Sequence, residues 1–568
     1  MSQDLCEVGI YGLTSTGQQL AAHHASNKQR VCVCDEDPTF VPQVIDEYRN
    51  QWSKNELGDG SEVRPSRCML ASDSLEELVA RLNTPRKLMV FGTYSHDDKF
   101  EQLWNKLISC LEKGDMVIRW GREDHGNALK PQHYMESIVT NLTKQAESKG
   151  LRLLEMVRLE RCRIATAKSN SPHAFFIGGP QDAYNVLKPF VQPYATVGYV
   201  GNSAACAHYA LMIQRAIEFV VTQSYAEGFN LLKDTAFFAN SDIGRLLNNW
   251  NDETSKLSGY ITEISSKIMY KRDGKVSGNG FITEKILDIV DCQPSDAWVR
   301  MEASRLEVPC PTLNAALDAR YFSTIKDERM EASKILKAPE LVDTPSVLKE
   351  QACEDLQTAI YCSSICAYAE GLSIFQAASE AEEWDVNIES CIELWNYPGS
   401  FLESTVLKMI DAALSSSIEK NKNLLMVPDI AAEFDLLHMS WRRAVTLSFA
   451  CGTPIPCLSA ALTYYDSYRA HTTPIGIIRA QRDYFGGYGY DRFDQEGWFT
   501  TLWTKEHTDL TKRELQAEQA EASGEVLKKK RRRKAKSIEP RSIEQLNSME
   551  KVNTEEIMSI APERMEEV

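Results

Sequence analysis

The chain has 568 residues, 43% of them hydrophobic, which is enough for roughly two to four domains with buried cores. Its formal net charge of -17 argues against binding nucleic acid through bulk electrostatics. It has no apolar run of roughly 18 residues and no signal-peptide pattern at its N-terminus. We therefore expect a cytoplasmic protein without a membrane span.

Strand and helix patterns alternate over about the first 200 residues. Short apolar strands are predicted at 7–11, 30–34, 87–91 and 116–119, with a helix over 100–111. Alternation of this kind predicts a Rossmann-type α/β domain over 1–200, with a parallel sheet covered by helices on both faces.

A turn that begins and ends with glycine follows the first strand. Residues 12–17 read Gly-Leu-Thr-Ser-Thr-Gly. Such a turn lets the backbone approach a pyrophosphate, and the next helix N-terminus favours its charge. The candidate cofactor-binding residues are Gly12, Thr14, Ser15, Thr16 and Gly17. The pattern fits either a dinucleotide site or a tight turn in a domain without a nucleotide.

The remainder of the chain is predicted to be helical and then disordered. Apolar residues at spacings of three and four predict an all-helical domain over 201–505, including a long helix that opens at Ser203–Cys206. Residues 506–568 are rich in charged and polar residues and are predicted to be a disordered tail. Its basic run Lys528–Lys536 fits either a nuclear-localisation signal or a solvated segment. No metal-binding motif is present, so we predict no metal site.

Several segments resemble decarboxylating 6-phosphogluconate dehydrogenases. The similar segments are 207–219, Asp318–Arg329, Trp441–Val445 and Ala480–Gly486, and the resemblance covers roughly residues 7–505. It implies a Rossmann-type domain, a large helical dimerisation domain and NADP as the cofactor. It also implies a reaction in three steps: hydride transfer, loss of carbon dioxide, and protonation of the enediol.

The resemblance also places the family's catalytic residues, and most of them are replaced. The Lys that acts as the base matches Leu211, and its His and Asn neighbours match Gln214 and Arg215. Glu218 keeps the position of the Glu that supplies the last proton, whereas the phosphate-binding Tyr becomes Phe219. Losing a positioned acid–base group costs roughly 10²–10⁴ in rate. Since the residues around it are replaced, we expect Glu218 to be an ordinary helix carboxylate, paired with Arg215.

The substrate-binding positions are partly retained. The family's Ser-Gly-Gly loop falls between Glu155 and Asn170, where this chain has no glycine, and its phosphate-binding Lys matches Gln293. Two phosphate-binding arginines match Arg320 and Arg482, and in the family the segment around the latter reaches into the partner's active site. The two arginines fit either a sugar phosphate or carboxylates at a dimer interface.

The cofactor positions favour NAD over NADP. The family's Arg that meets the 2′-phosphate of NADP matches Glu36, between Asp35 and Asp37. Carboxylates there repel a phosphate, whereas Asp35 could accept a hydrogen bond from a 2′-hydroxyl. Trp120 and Arg122 replace a Gly and an Asn, and either side chain could fill the nicotinamide pocket. A solvated acidic turn with no cofactor is the alternative.

Two hypotheses for function follow. The first is a catalytically inactive 6-phosphogluconate dehydrogenase-like protein with a binding or regulatory role, as a homodimer or as a heterodimer with an active homologue. The second is an active NADP-dependent decarboxylating enzyme of the oxidative pentose phosphate pathway, or a dehydrogenase of another hydroxy acid. Leu211 and Gln214 argue against the second hypothesis.

Overall fold

The structure is a computed structural model. It describes residues 5–55, 65–91, 98–121, 141–159, 173–274, 280–339, 346–416, 423–501, 503 and 509–511. By internal contacts the chain separates into two compact units, Met1–Arg469 and Ala470–Val568. Arg122, the basic run Lys528–Lys536 and nearly all of the predicted tail lie outside the described residues. Neither of the predicted domain boundaries, at 200 and at 505, coincides with the division between the two units, and both stay predictions.

An eight-stranded sheet opens the first unit, in the order β3-β2-β1-β4-β5-β6-β7-β8. Its strands are β1 Val8–Tyr11, β2 Val31–Cys34, β3 Met69–Ala71, β4 Lys87–Val90, β5 Met116–Gly121, β6 Arg152–Arg158, β7 His173–Gly178 and β8 Ala195–Gly201. The four predicted strands are confirmed close to their predicted ends.

The predicted parallel sheet is confirmed, and one pair of its strands is antiparallel. β6 and β7 pair antiparallel, whereas the other neighbours pair parallel. A loop suffices to join neighbouring antiparallel strands, whereas parallel strands need a longer crossover. The alternation that predicts a parallel sheet was found only before residue 120, so it carried no information about this pair.

Helices cover both faces of the sheet, as predicted. They are α1 Ser15–Ser26, α2 Phe40–Asn55, α3 Leu75–Ala80, α4 Asp98–Cys110, α5 Asn141–Ser148 and α6 Gln181–Val191. One buried cluster packs Leu20 and Leu187 against the sheet, and a second packs Leu78 and Leu107 against its other face. Burial on both faces explains why β2 reads Val-Cys-Val-Cys without a polar residue.

The chain is mostly helical after β8, as predicted. The helices of the first unit are α7 Ala205–Asn230, α8 Asn240–Trp250, α9 Tyr260–Met269, α10 Trp298–Arg305, α11 Pro311–Thr324, α12 Lys326–Ile335, α13 Ser346–Ala381, α14 Ile388–Trp395, α15 Thr405–Ser416, α16 Pro428–Ala450 and α17 Pro456–Arg469. No helix among the described residues is long and apolar enough to cross a membrane.

The long helix α7 is packed closely against α13. It has 26 residues, and most of them are buried. A Cβ at Gly371 of α13 would lie 2.9 Å from Ile213 and 3.1 Å from Ile217, so glycine allows the two helices to approach closely. This packing fixes α7, which carries Leu211 and Glu218, within the helical core.

The second unit contains α18 Ile475–Gly486 and a small antiparallel sheet of β9 Tyr490–Asp491, β10 Trp498–Thr501 and β11 Asp509–Thr511. The carboxylate of Asp483 joins the helix to the sheet. It accepts hydrogen bonds from Gly489 N (2.8 Å), Thr500 Oγ1 (2.7 Å), Thr501 N (2.8 Å) and Trp503 Nε1 (2.9 Å). Although burial raises it, these donors hold the pKa of Asp483 below its ordinary value.

Candidate dinucleotide and substrate sites

The turn between β1 and α1 is fixed by close contacts of its own backbone. Gly12 has φ +90°, and a Cβ there would lie 2.2 Å from the carbonyl oxygen of Phe91. A Cβ at Gly17 would lie 2.4 Å from the carbonyl oxygen of Gly12. Thr14 caps α1 by accepting a hydrogen bond from Gly17 N at 3.3 Å. Both glycines are therefore required by the turn itself, with or without a ligand.

The other candidate residues of the turn lie in the first residues of α1. Ser15 is exposed and Thr16 is buried. Backbone N–H groups at a helix N-terminus suit an anion, so this end of α1 fits a pyrophosphate.

Asp35 ties the end of β2 to the same turn. Its Oδ2 accepts a hydrogen bond from Leu13 N at 2.6 Å, and its Oδ1 accepts one from Asp37 N at 3.1 Å. Thr39 donates two hydrogen bonds to Asp37 and lowers the pKa of its carboxyl. Asp37 and Glu36 are exposed. This acidic end of β2 fits a ribose hydroxyl but not a 2′-phosphate.

Aromatic side chains cover the ends of the strands next to the turn. Phe91, which directly follows β4, is 1% exposed, and its ring lies 3.5 Å from the Cβ position of Gly17. The ring of Trp120 lies 5.2 Å from that of Phe91 and 5.0 Å from that of Phe175. A dinucleotide crosses a Rossmann-type sheet between β1 and β4. Phe91 and Trp120 therefore lie on the side opposite Asp35, where the nicotinamide half would bind.

The helix α7 holds the positions that match the catalytic residues. Leu211 is 6% exposed and belongs to the core of the helical part. The buried side chains of Gln214 and Glu218 meet, with Gln214 Nε2 donating to Glu218 Oε1 at 2.7 Å. The predicted pairing of Glu218 with Arg215 stays a prediction. A leucine cannot accept a proton, so nothing at position 211 replaces the base.

Arg320 and Arg482 lie in different units of the chain. Arg320, on α11, places its guanidinium carbon 3.6 Å from the centre of the Phe219 ring on α7. Burial lowers the pKa of Arg320, while Asp296 opposes the shift. Arg482, on α18, stacks over Tyr488 at 4.9 Å. The structure thus brings Arg320 next to the substrate positions of α7 within one unit.

A buried charge cluster was not predicted from the sequence. Arg119 on β5 and Glu155 on β6 face each other in the sheet and form a buried ion pair. The second oxygen of Glu155 lies 3.2 Å from His208 Nε2, near the start of α7. This triad of Arg119, Glu155 and His208 links the sheet to the long helix. The available signal was a charged residue in the interior of each of two strands, Arg119 among the apolar residues of β5 and Glu155 among those of β6.

The position of the substrate loop between Glu155 and Asn170 stays a prediction. Glu155 itself lies in the middle of β6 and is fully buried, so any loop in this range follows Arg158. The strand pattern was missed because Arg152, Glu155 and Arg158 interrupt its apolar residues. Residues 160–170 of the predicted loop lie outside the described part of the chain. Within that described part, no cluster of three or more His, Cys, Asp or Glu side chains could hold a metal.

Comparisons with known proteins agree with this architecture. The model of the 6-phosphogluconate dehydrogenase C-terminal domain matches residues 207–503. The decarboxylating 6-phosphogluconate dehydrogenase of Staphylococcus epidermidis is 30% identical over 513 residues, which is 88% of this chain and 99% of the relative. The decarboxylating 6-phosphogluconate dehydrogenase 2 of Arabidopsis thaliana is 27% identical over 512 residues, covering 88% of this chain and 97% of the relative.

A solved structure gives the same result. The 6-phosphogluconate dehydrogenase of Plasmodium falciparum, described in its apo form and with NADP+ or 6-phosphogluconate, matches with a TM-score of 0.73. The match has 26% sequence identity and covers 88% of this chain and all of that one. The chain therefore belongs to the 6-phosphogluconate dehydrogenase family.

Proposed function

We propose that the chain is a catalytically inactive 6-phosphogluconate dehydrogenase-like protein that acts by binding a ligand or a partner. The observation that carries this proposal is Leu211, a buried apolar side chain at the position of the general base. Its neighbours do not replace that base, because Gln214 carries no titratable group and donates its amide to Glu218. Without a base, the substrate hydroxyl cannot lose its proton as hydride leaves.

A retained ability to bind a sugar phosphate is part of this proposal. Arg320 keeps a charged guanidinium beside α7, and guanidinium groups bind phosphate through paired hydrogen bonds. Phe219 lacks a hydroxyl, so it offers this guanidinium a ring to stack on and gives the phosphate no donor. Arg320 therefore supports binding of the substrate class without supporting turnover.

For the cofactor, we propose NAD rather than the NADP of the family. Asp35, Glu36 and Asp37 give the end of β2 an acidic surface, which suits a free ribose. Phe91 and Trp120 support weak contacts with the nicotinamide half, because their rings lie where that half would bind. Binding would therefore come mainly from the adenosine and pyrophosphate groups.

We also propose that the chain forms a homodimer through its second unit. Large apolar side chains of this unit are exposed, including Phe485 (89% exposed), Ile477, Tyr484 and Phe493. Aromatic side chains exposed in this way are typical of a surface that a partner covers. Light scattering should give twice the 64.1 kDa chain mass. A strict monomer at micromolar concentration would rule the homodimer out, leaving a heterodimer with an active homologue to be tested by mixing.

A cytoplasmic location completes the proposal. The run Lys528–Lys536 would instead favour nuclei, and a reporter fused to residues 506–568 distinguishes the two locations.

One activity assay separates this proposal from the alternative of an active dehydrogenase, which the retained Glu218 and Arg320 favour. The purified chain is given saturating 6-phosphogluconate with NADP or NAD, and reduced cofactor and carbon dioxide are measured. Turnover should fall below that of the Staphylococcus epidermidis enzyme, run as a control, by at least roughly 10²–10⁴.

The variant Leu211→Lys sharpens the assay. It should not restore turnover, because Gln214 and Phe219 remain. Wild-type turnover at the control rate would exclude the proposal, and full rescue by Leu211→Lys would show that the rest of the site is intact.

A further inference from the structure

The charges around Arg320 suit a ligand with a single anionic group. Arg320 is half-buried, and within the described part of the chain its guanidinium has no hydrogen-bond or ion-pair partner. Burial lowers the pKa of Arg320, and the carboxylates of Asp296 and Glu218 oppose that shift, so both act on its charge. Leu211 adds no charge, and with Arg215 included the guanidinium and carboxylate groups named here are equal in number. A ligand with both a phosphate and a carboxylate would therefore leave negative charge uncompensated.

Gln214 gives a second, independent indication of the ligand. Its side chain is 0% exposed, and its Nε2 donates to Glu218 Oε1 at 2.7 Å. Glu218 determines which end of the amide is the N–H end, because a carboxylate accepts hydrogen bonds. The other amide atom, Oε1, is buried and has no hydrogen-bond partner among the described residues. Buried polar atoms are normally hydrogen-bonded, so this oxygen needs a donor, which a hydroxyl group supplies and a carboxylate does not.

The spacing along α7 places Gln214 and Arg320 within reach of one small ligand. The guanidinium of Arg320 stacks on the ring of Phe219, and Phe219 lies about 7.5 Å further along the helix axis than Gln214. The carboxylate of Glu218 lies between them, since it bonds to Gln214 and acts on Arg320. An open-chain sugar phosphate is long enough to extend from the one to the other, passing the carboxylate on its way.

We propose, on the basis of the sugar-phosphate binding proposed for Arg320, that this site binds the phosphate ester of an uncharged sugar or polyol in preference to a sugar acid. The phosphate pairs with Arg320, and a hydroxyl group of the ligand donates to Gln214 Oε1. Glu218 repels a carboxylate at the other end of the ligand. The ligand thus differs in chemical class from 6-phosphogluconate, a sugar acid, with which the Plasmodium falciparum relative is described.

Titration calorimetry of the full chain with two matched probes tests the proposal. Sorbitol 6-phosphate and 6-phosphogluconate differ only at their first carbon, which carries a hydroxyl group in the former and belongs to a carboxylate in the latter. Sorbitol 6-phosphate should bind about tenfold more tightly, because it lacks the charge that Glu218 repels. Equal or tighter binding of 6-phosphogluconate would overturn this preference and leave the proposed sugar-phosphate binding intact. Binding of neither probe would overturn both.

The variant Glu218→Gln removes the repelling charge and keeps the size of the side chain. The preference for sorbitol 6-phosphate should fall from about tenfold to about twofold or less. The matched control is Glu328→Gln, which removes the same charge from an exposed position on α12 and should leave the preference at about tenfold. A preference that both variants change equally, or that Glu218→Gln does not change, would overturn the proposal.

The variant Gln214→Met removes the carbonyl oxygen that accepts from the ligand. It should weaken the binding of sorbitol 6-phosphate by a few fold and leave propyl phosphate, which carries no hydroxyl group, unchanged. Equal weakening of the two ligands would overturn the contact between Gln214 and the ligand. The comparison of the two probes on the wild-type chain needs no variant, so it decides the proposal even where a variant fails to fold.

Discussion

The middle and the two ends of helix α7 differ in how they use polar side chains. In the middle, Leu211 and Phe219 stand where the family has a base and a phosphate-binding hydroxyl. At the N-terminal end His208 meets Glu155, and at the C-terminal end Glu227 binds another helix. Polar side chains thus hold both ends of α7 in the fold, whereas the positions of Leu211 and Phe219 are apolar. The helix keeps its structural role, and under the proposed function it has lost the catalytic base.

Glu227 shows what the C-terminal end contributes. Its two carboxylate oxygens accept hydrogen bonds from Cys457 N at 2.9 Å and Leu458 N at 3.0 Å. These N–H groups belong to the first turn of α17, which has no partner for them within the helix. Glu227 therefore caps α17 from a distant part of the chain, much as the triad fixes the other end of α7 to the sheet.

The largest effect is expected from breaking the triad at the N-terminal end. Glu155→Gln removes the charge that compensates Arg119 in a buried site, so the free energy of unfolding should fall by about 3–5 kcal/mol. Urea unfolding monitored by circular dichroism measures the loss. The control is Asp242→Asn, which removes an exposed ion pair with Arg245 and should change stability by less than about 1 kcal/mol.

Similar losses in Glu155→Gln and Asp242→Asn would contradict the structural role of the triad. A stable Glu155→Gln variant would mean that water reaches Arg119, and the contrast between the ends and the middle of α7 would then disappear.

Glu227, at the C-terminal end of α7, should make the free energy of unfolding depend on pH. Burial raises the pKa of Glu227 from 4.5 to about 7, although Leu458 and Cys457 donate to it. Between these two pH values the folded chain holds more protons than the unfolded chain, so stability falls as pH rises. The contribution of Glu227 is complete below pH 4.5 and is lost above pH 7, a change of about 3 kcal/mol.

The variant Glu227→Gln isolates this contribution. The difference in unfolding free energy between wild type and Glu227→Gln should fall by about 3 kcal/mol from pH 4.5 to pH 8. Glu370, whose pKa burial also raises to about 7, remains in both proteins and cancels from the difference. The matched control is Glu328→Gln, which removes a carboxyl from an exposed position on α12 rather than from the core. A flat difference for Glu227→Gln would refute the assignment.

The sequence predicted α7 itself but not the contacts that hold its two ends in the fold. Its length followed from apolar spacing, and the resemblance identified Leu211 as the replaced base. The contact of Arg119 with Glu155 depends on the register of two strands, which periodicity does not provide. Glu227 looks like any solvated helix glutamate in the sequence, because its partners lie about 230 residues further along the chain. Long-range pairings of this kind are physical consequences of packing, which local patterns do not contain.

The smallest effect is expected at the dinucleotide turn, where the backbone is intact and only charge has changed. NAD should bind about tenfold more tightly than NADP, a difference of about 1.4 kcal/mol, because the exposed carboxylates at the end of β2 repel a 2′-phosphate and salt screens part of that repulsion. Calorimetry at two salt concentrations measures the preference, which should shrink at the higher one.

The variant Glu36→Arg should abolish the preference for NAD, whereas the control Glu328→Arg on α12 should leave the preference unchanged. Tighter binding of NADP by the wild-type chain would contradict the prediction. Binding of neither dinucleotide would instead indicate that Phe91 and Trp120 close the site, and would extend the proposed loss of function from α7 to the sheet.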